Sequence, residues 1–118
     1  MAFRTKGPLD VVVACHCDTC QRLSGSHVYA TRIKYNNLEI TSDAGLHWYR
    51  SSPLVKRGFC QYCGSNLFYR ADDSPNISIH AGTFHNRDGL KLDRHIFVSE
   101  KPDYYSLHDD LPKFPHAD

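Results

Sequence analysis

Five cysteines fall in two tight groups, Cys15-His16-Cys17-Asp18-Thr19-Cys20 and Cys60-Gln61-Tyr62-Cys63. Soft thiolates at such spacing are zinc ligands, and zinc brings either a fold or a reaction. A closed structural site takes four ligands, whereas a catalytic zinc keeps one position open. Five sulfurs are one too many for a single closed site and too few for two. How they divide decides the chemistry.

In an extended strand alternate side chains share a face, so Val11, Val13, Cys15 and Cys17 point one way and Val12, Ala14 and His16 the other. Such a strand ends with two sulfurs at one point. The Cys17-x-x-Cys20 segment then bends the chain so that a third sulfur reaches the same point. Asp18 and Gln21 have the offset of a capping box, which predicts a short helical turn from about Thr19 to Leu23, stopped near Gly25. His16 faces away from the sulfurs and is not expected as a ligand. Zinc on three thiolates carries a net charge of about −1 and is a weak electrophile, yet it still deprotonates a coordinating thiol. That chemistry suits a thiol substrate better than water. The same spacing serves equally well for a structural zinc whose fourth ligand comes from elsewhere.

The second group, Phe59-Cys60-Gln61-Tyr62-Cys63-Gly64, has the form of a zinc knuckle, with Gly64 free to take a positive φ after the turn. A knuckle is half of a closed site. Two divisions fit the spacing. In one, Cys17, Cys20, Cys60 and Cys63 share a ribbon-like site and Cys15 is spare. In the other, Cys15, Cys17 and Cys20 form an open site, and Cys60 and Cys63 belong to a separate one.

The elements that must position these groups are strands. Leu9–Ala14, His27–Ile33, Leu38–Thr41, Leu46–Arg50, Asn66–Arg70 and Asn76–Ala81 are short and mostly alternate, and turn residues separate them. This punctuation predicts an all-β domain spanning residues 1–118 as a single unit. Lys101 to Pro115 reads as an irregular tail packed on the sheets by Tyr104, Leu107, Leu111 and Phe114. The formal charge is +1 with acids and bases interspersed, so capture of nucleic acid is not expected. No apolar run follows Met1-Ala2-Phe3-Arg4, so neither a secretory signal nor a membrane span is read there. An odd cysteine count fits reduced, metal-binding thiols in the cytoplasm better than a disulfide framework.

Several segments together resemble the glutathione-dependent formaldehyde-activating enzyme family, whose fold also occurs in centromere-protein-V-like proteins. They are Cys15-His16-Cys17-Asp18-Thr19-Cys20-Gln21-Arg22-Leu23-Ser24-Gly25-Ser26 and Phe59-Cys60-Gln61-Tyr62-Cys63-Gly64-Ser65-Asn66-Leu67. Ala81-Gly82-Thr83-Phe84, His95-Ile96-Phe97-Val98, Lys101-Pro102 and Asp109-Asp110-Leu111-Pro112-Lys113-Phe114 follow in order.

The resemblance implies short antiparallel sheets of the β-tent type with zinc-binding turns. It assigns Cys15, Cys17 and Cys20 to a catalytic zinc. Cys60 and Cys63 go to a structural zinc whose other two ligands, a C-x-C pair on an N-terminal strand, are absent from this sequence. One Zn2+ is therefore expected at the three-cysteine site, with the second site incomplete. The implied activity is that of a carbon–sulfur lyase joining glutathione and formaldehyde as S-hydroxymethylglutathione. The alternatives are an enzyme on another thiol conjugate or a non-enzymatic zinc-stabilised binding module.

The sequence also departs from the family pattern. His85 stands where an aspartate is usual, and Tyr104 where a tryptophan is usual after Lys101-Pro102. His85 is expected in a solvent-facing loop and His95 as a packed strand residue. Arg22 and Arg57 are candidates for offsetting thiolate charge or binding a substrate carboxylate, against the commoner outcome of surface ion pairs.

Overall fold

The strand bearing the first cysteines alternates as its residue types require, with Val12, Ala14 and His16 buried and Val11 on the opposite, exposed side. In the computed structural model, which describes residues 1–118, it is one of nine strands. They are β1 (Ala2–Thr5), β2 (Val12–Cys15), β3 (Val28–Lys34), β4 (Leu38–Ser42), β5 (Leu46–Ser52), β6 (Val55–Cys60), β7 (Asn66–Ala71), β8 (Asn76–His80) and β9 (Leu92–Ile96). A single α-helix, α1 (Asp18–Ser24), follows β2.

The strands form a two-stranded sheet, β1-β4, and a seven-stranded sheet in the order β5-β6-β7-β8-β3-β2-β9. The fold is therefore mostly β, as expected. One pairing departs from the antiparallel expectation: β2 and β9 run parallel, with Cys15 beside Ile96. Strands from opposite ends of the chain can meet in this way because the long intervening chain supplies the crossover that parallel pairing needs.

The large sheet has two different faces. On one, Ile33, Phe68, Ile77 and Ile79 form the centre of the core. The small sheet covers that core, and Phe3 meets Phe68 edge-on with ring centroids 5.3 Å apart. Gly58 on β6 lies beneath the Trp48 and Phe68 rings, which would come within 3.2 Å and 3.1 Å of any Cβ there. The other face carries Val13 and Cys15 of β2, Ala30 and Arg32 of β3, Ser78 of β8, Tyr69 of β7 and Arg57 of β6. These residues line a cavity of about 460 Å³.

The tail corrects one expectation. Leu107, Leu111 and Phe114 are half-buried, but Tyr104 is 67 % exposed, touching the Tyr105 ring edge-on and donating its hydroxyl to the Gly25 carbonyl. Tyr105 turns inward instead. The tail runs beside β9, with the Phe114 N–H donating to the His95 carbonyl at 2.9 Å and the His95 N–H to the Pro112 carbonyl at 2.9 Å.

Candidate metal centre

The three sulfurs of Cys15, Cys17 and Cys20 lie within 4.8 Å of one another. Three sulfurs each about 2.3 Å from one ion would stand roughly 3.8 Å apart, so small side-chain movements complete the geometry. Cys15 ends β2. Cys17 is the N-cap of α1, with extended backbone angles (φ −68°, ψ 162°), and its sulfur accepts from the Cys20 N–H at 3.4 Å. Cys20 sits on the buried face of α1.

The helix stops where predicted, at Gly25 in the left-handed region (φ 88°). Its cap is different from the expected one. Cys17 rather than Asp18 caps the helix, and Gln21 donates to the His16 carbonyl at 3.0 Å and the Glu100 carbonyl at 2.7 Å. A thiolate can take this role because it is an acceptor aimed along the first turn.

Without an ion the three thiols share little charge. Hydrogen bonds from Cys15 and Cys20, with backbone donors behind them, hold the Cys17 thiol down to about 2. Its hydrogen bond to Cys17 and its burial push Cys15 up to about 11. Cys20 is pushed up as well, by Cys15, Cys17 and burial. Close thiolates repel, so one ionises and the others donate to it. A divalent cation removes that restriction, since coordinated thiols are deprotonated.

Behind the strand, on the face away from the sulfurs, lies a chain of polar side chains. Asp109 Oδ2 is 2.8 Å from His95 Nε2, His95 Nδ1 is 2.8 Å from His16 Nε2, and His16 Nδ1 is 2.7 Å from the Tyr105 hydroxyl. With Asp109 ionised the donors run in one direction: His95 Nε2–H to the carboxylate, His16 Nε2–H to His95, and Tyr105 O–H to His16. His16 and His95 are almost completely buried. His95 beside Asp109 holds that carboxyl down to about 2. The expectations that His16 turns from the sulfurs and that His95 packs on a strand both agree with this arrangement. Asp109 is marked in the sequence only as part of a segment resembling the family, and Tyr105 carries no signal of its own, because its partner His16 lies 89 positions away.

The remaining candidates are dispersed. Cys60 is buried at the end of β6 and Cys63 is exposed, and both line a different cavity of about 770 Å³ with His80 and His85. The grouping of Cys17 and Cys20 with Cys60 and Cys63 is not the one that the fold assembles. His85 is exposed in its loop. Arg22 is a surface residue paired with Asp18 at 2.9 Å. Arg57 is half-buried on the wall of the three-cysteine cavity.

Titration of His16 and His80 sets a pH dependence. Burial, reinforced by His27 and His95, lowers His16 to about 4. Burial and the Arg57 charge lower His80 to about 4. An unfolded chain protonates both near pH 6.5, so between there and about pH 4 it binds protons that the native protein refuses. Stability therefore falls as the pH drops through that window. Thermal melts of the metal-free protein are expected to show this fall between pH 7 and 4, and His80→Gln should make it shallower. Identical slopes for the two proteins would contradict the account of His80.

Residues 1–100 match the family model described as glutathione-dependent formaldehyde-activating enzyme. A Schizosaccharomyces pombe protein described as an uncharacterized lyase is 27 % identical over 94 residues, covering 79 % of this chain and 68 % of that protein. A crystal structure of a Rhodobacter sphaeroides protein superposes with a TM-score of 0.61 at 18 % identity, covering 76 % of this chain and 88 % of that one. This last likeness is one of fold.

Proposed function

The chain belongs to the glutathione-dependent formaldehyde-activating enzyme family, and from that membership we propose that it is a carbon–sulfur lyase-type enzyme acting on the adduct of glutathione, or a similar thiol, with an aldehyde. The observation that carries the reading is the position of the sulfurs. Cys15, Cys17 and Cys20 converge at the wall of a cavity of about 460 Å³, whereas a purely structural metal needs no adjoining space. The donor set and its spacing fit zinc, a soft-ligand ion that tolerates three thiolates and a fourth exchangeable position. Zinc held there would supply deprotonation of an incoming thiol and a defined place for its sulfur.

The chain's own residues supply the rest. Cys17 carries charge most readily, and the helix cap and the thiols of Cys15 and Cys20 hold it in place. The chain from Asp109 to Tyr105 fixes the strand end from behind. His80 presents an uncharged imidazole to the cavity at neutral pH. In the reaction the thiol sulfur bonds to the aldehyde carbon, and the thiol proton ends on the new hydroxyl. The advantage over solution is confinement of the two reactants in one orientation.

Glutathione at a hundredfold excess over its dissociation constant is expected to stabilise the zinc-loaded protein by about 2.7 kcal/mol. That corresponds to a rise in melting midpoint of roughly 10 °C for a domain of this size. Adduct formation followed by NMR should exceed the uncatalysed rate in the same buffer. No protection at millimolar glutathione, together with a rate equal to background, would favour a zinc-stabilised binding module. Protection by another thiol alone would favour a different conjugate.

A further inference from the structure

Arg57 projects from β6 onto the cavity face of the sheet, and two neighbours hold its guanidinium. Its Nε donates to Ser51 Oγ at 3.2 Å, and its Cζ lies 4.9 Å from the centroid of the Tyr69 ring. No carboxylate pairs with it, unlike Arg22, Arg50 and Arg94. Of the other arginines on the cavity wall, Arg94 is already paired with Asp93 and Asp118, and Arg32 is exposed and held by no side-chain contact. Asp10, the other acid there, caps the Val11 N–H at 2.8 Å. Arg57 is thus a half-buried cation with its position set and its counter-ion missing.

We propose that Arg57 is the carboxylate anchor of the thiol site, selecting a peptide-length thiol whose acid group lies several bonds from its sulfur. This rests on the proposed function, since it takes the three sulfurs as the place where the substrate thiol binds. The order β6-β7-β8-β3-β2 places Arg57 four strand steps from Cys15. At about 4.8 Å per step, that is roughly 19 Å along the sheet between backbones. The arginine side chain and the concave wall shorten the gap, but it remains wider than the span from thiol to carboxylate in a single amino acid. Free cysteine with its sulfur at the metal could not reach Arg57, while a tripeptide could. A planar fork held over an aromatic ring is well suited to a bidentate carboxylate contact, and is poorly replaced by lysine.

The test measures binding to the zinc-loaded full chain by calorimetry with three thiols: glutathione, glutathione diethyl ester and cysteine. For the unsubstituted protein, glutathione should bind more tightly than the other two. Arg57→Ala should weaken glutathione by roughly 10- to 100-fold and leave the diethyl ester and cysteine within about twofold. Arg57→Lys should fall between them. Zinc content and melting midpoint of both variants serve as the check on folding. Equal glutathione affinity in Arg57→Ala, or an equal loss for all three thiols, would overturn the anchor alone. Failure of the unsubstituted protein to bind any of the thiols would overturn the functional reading, and the anchor with it.

Discussion

Replacing Cys17 by serine is expected to abolish zinc binding and to reduce adduct formation to the uncatalysed rate. Serine is the informative choice because Cys17 has two roles, as metal ligand and as N-cap of α1. A serine hydroxyl caps a helix well, so Asp18–Ser24 should stay folded and the loss be confined to the metal. The neutral hydroxyl offers no soft anionic donor, and two remaining sulfurs make a poor zinc site. Metal analysis should drop from about one zinc per chain to a trace. Circular dichroism should keep its β signature. Unchanged zinc content with full adduct formation would refute the assignment of the three cysteines.

His95→Phe is expected to lower stability by about 2–4 kcal/mol, a fall of roughly 10 °C or more in melting midpoint. Phenylalanine keeps a ring of similar size in the buried slot, so the cost of packing is small. It removes both ring nitrogens, however, and leaves the buried His16 Nε2 and the Asp109 carboxylate without the partners each holds at 2.8 Å. An orphaned buried donor carries its full desolvation penalty. The effect should reach the metal, because His16 lies between two of its proposed ligands, and zinc loss to a chelator should be faster. Asp109→Asn should cost less, since its amide oxygen still accepts from His95. Stability of His95→Phe within about 0.5 kcal/mol of the unsubstituted protein would mean that the polar chain is incidental.

Legibility differed between strands for physical reasons. β3, β5 and β8 largely alternate apolar and polar residues, β7 is a short aromatic run, and the sequence marks all four within a residue or two. β6 was not marked, because Lys56-Arg57-Gly58 breaks the pattern. Only the Trp48 and Phe68 rings above it explain why a glycine belongs there. β9, with Asp93, Arg94 and His95 among its five residues, shows in the sequence only as a packed strand position at His95, and its extent follows from its pairing with β2. β1 is short, and it is a strand by virtue of β4. In the sequence Tyr104 reads as the packing residue, because two adjacent tyrosines look alike until the tail's path decides which one turns inward.

The spacing of Cys15, Cys17 and Cys20 determined by itself that three sulfurs would meet, since strand alternation and one turn of helix are local rules acting over six residues. The same local rules marked His16 as facing away and Gly25 as the stop. Tertiary structure alone decided what surrounds that point. It separated Cys60 and Cys63 into another cavity, brought Asp109, His95 and Tyr105 behind His16, and set Arg57 on the far wall. The contacts of His16 with His95 and Tyr105 join residues 79 and 89 positions apart, and they depend on the order of strands in the sheet. No local pattern encodes that order, because pairing partners are chosen by the packing of whole faces.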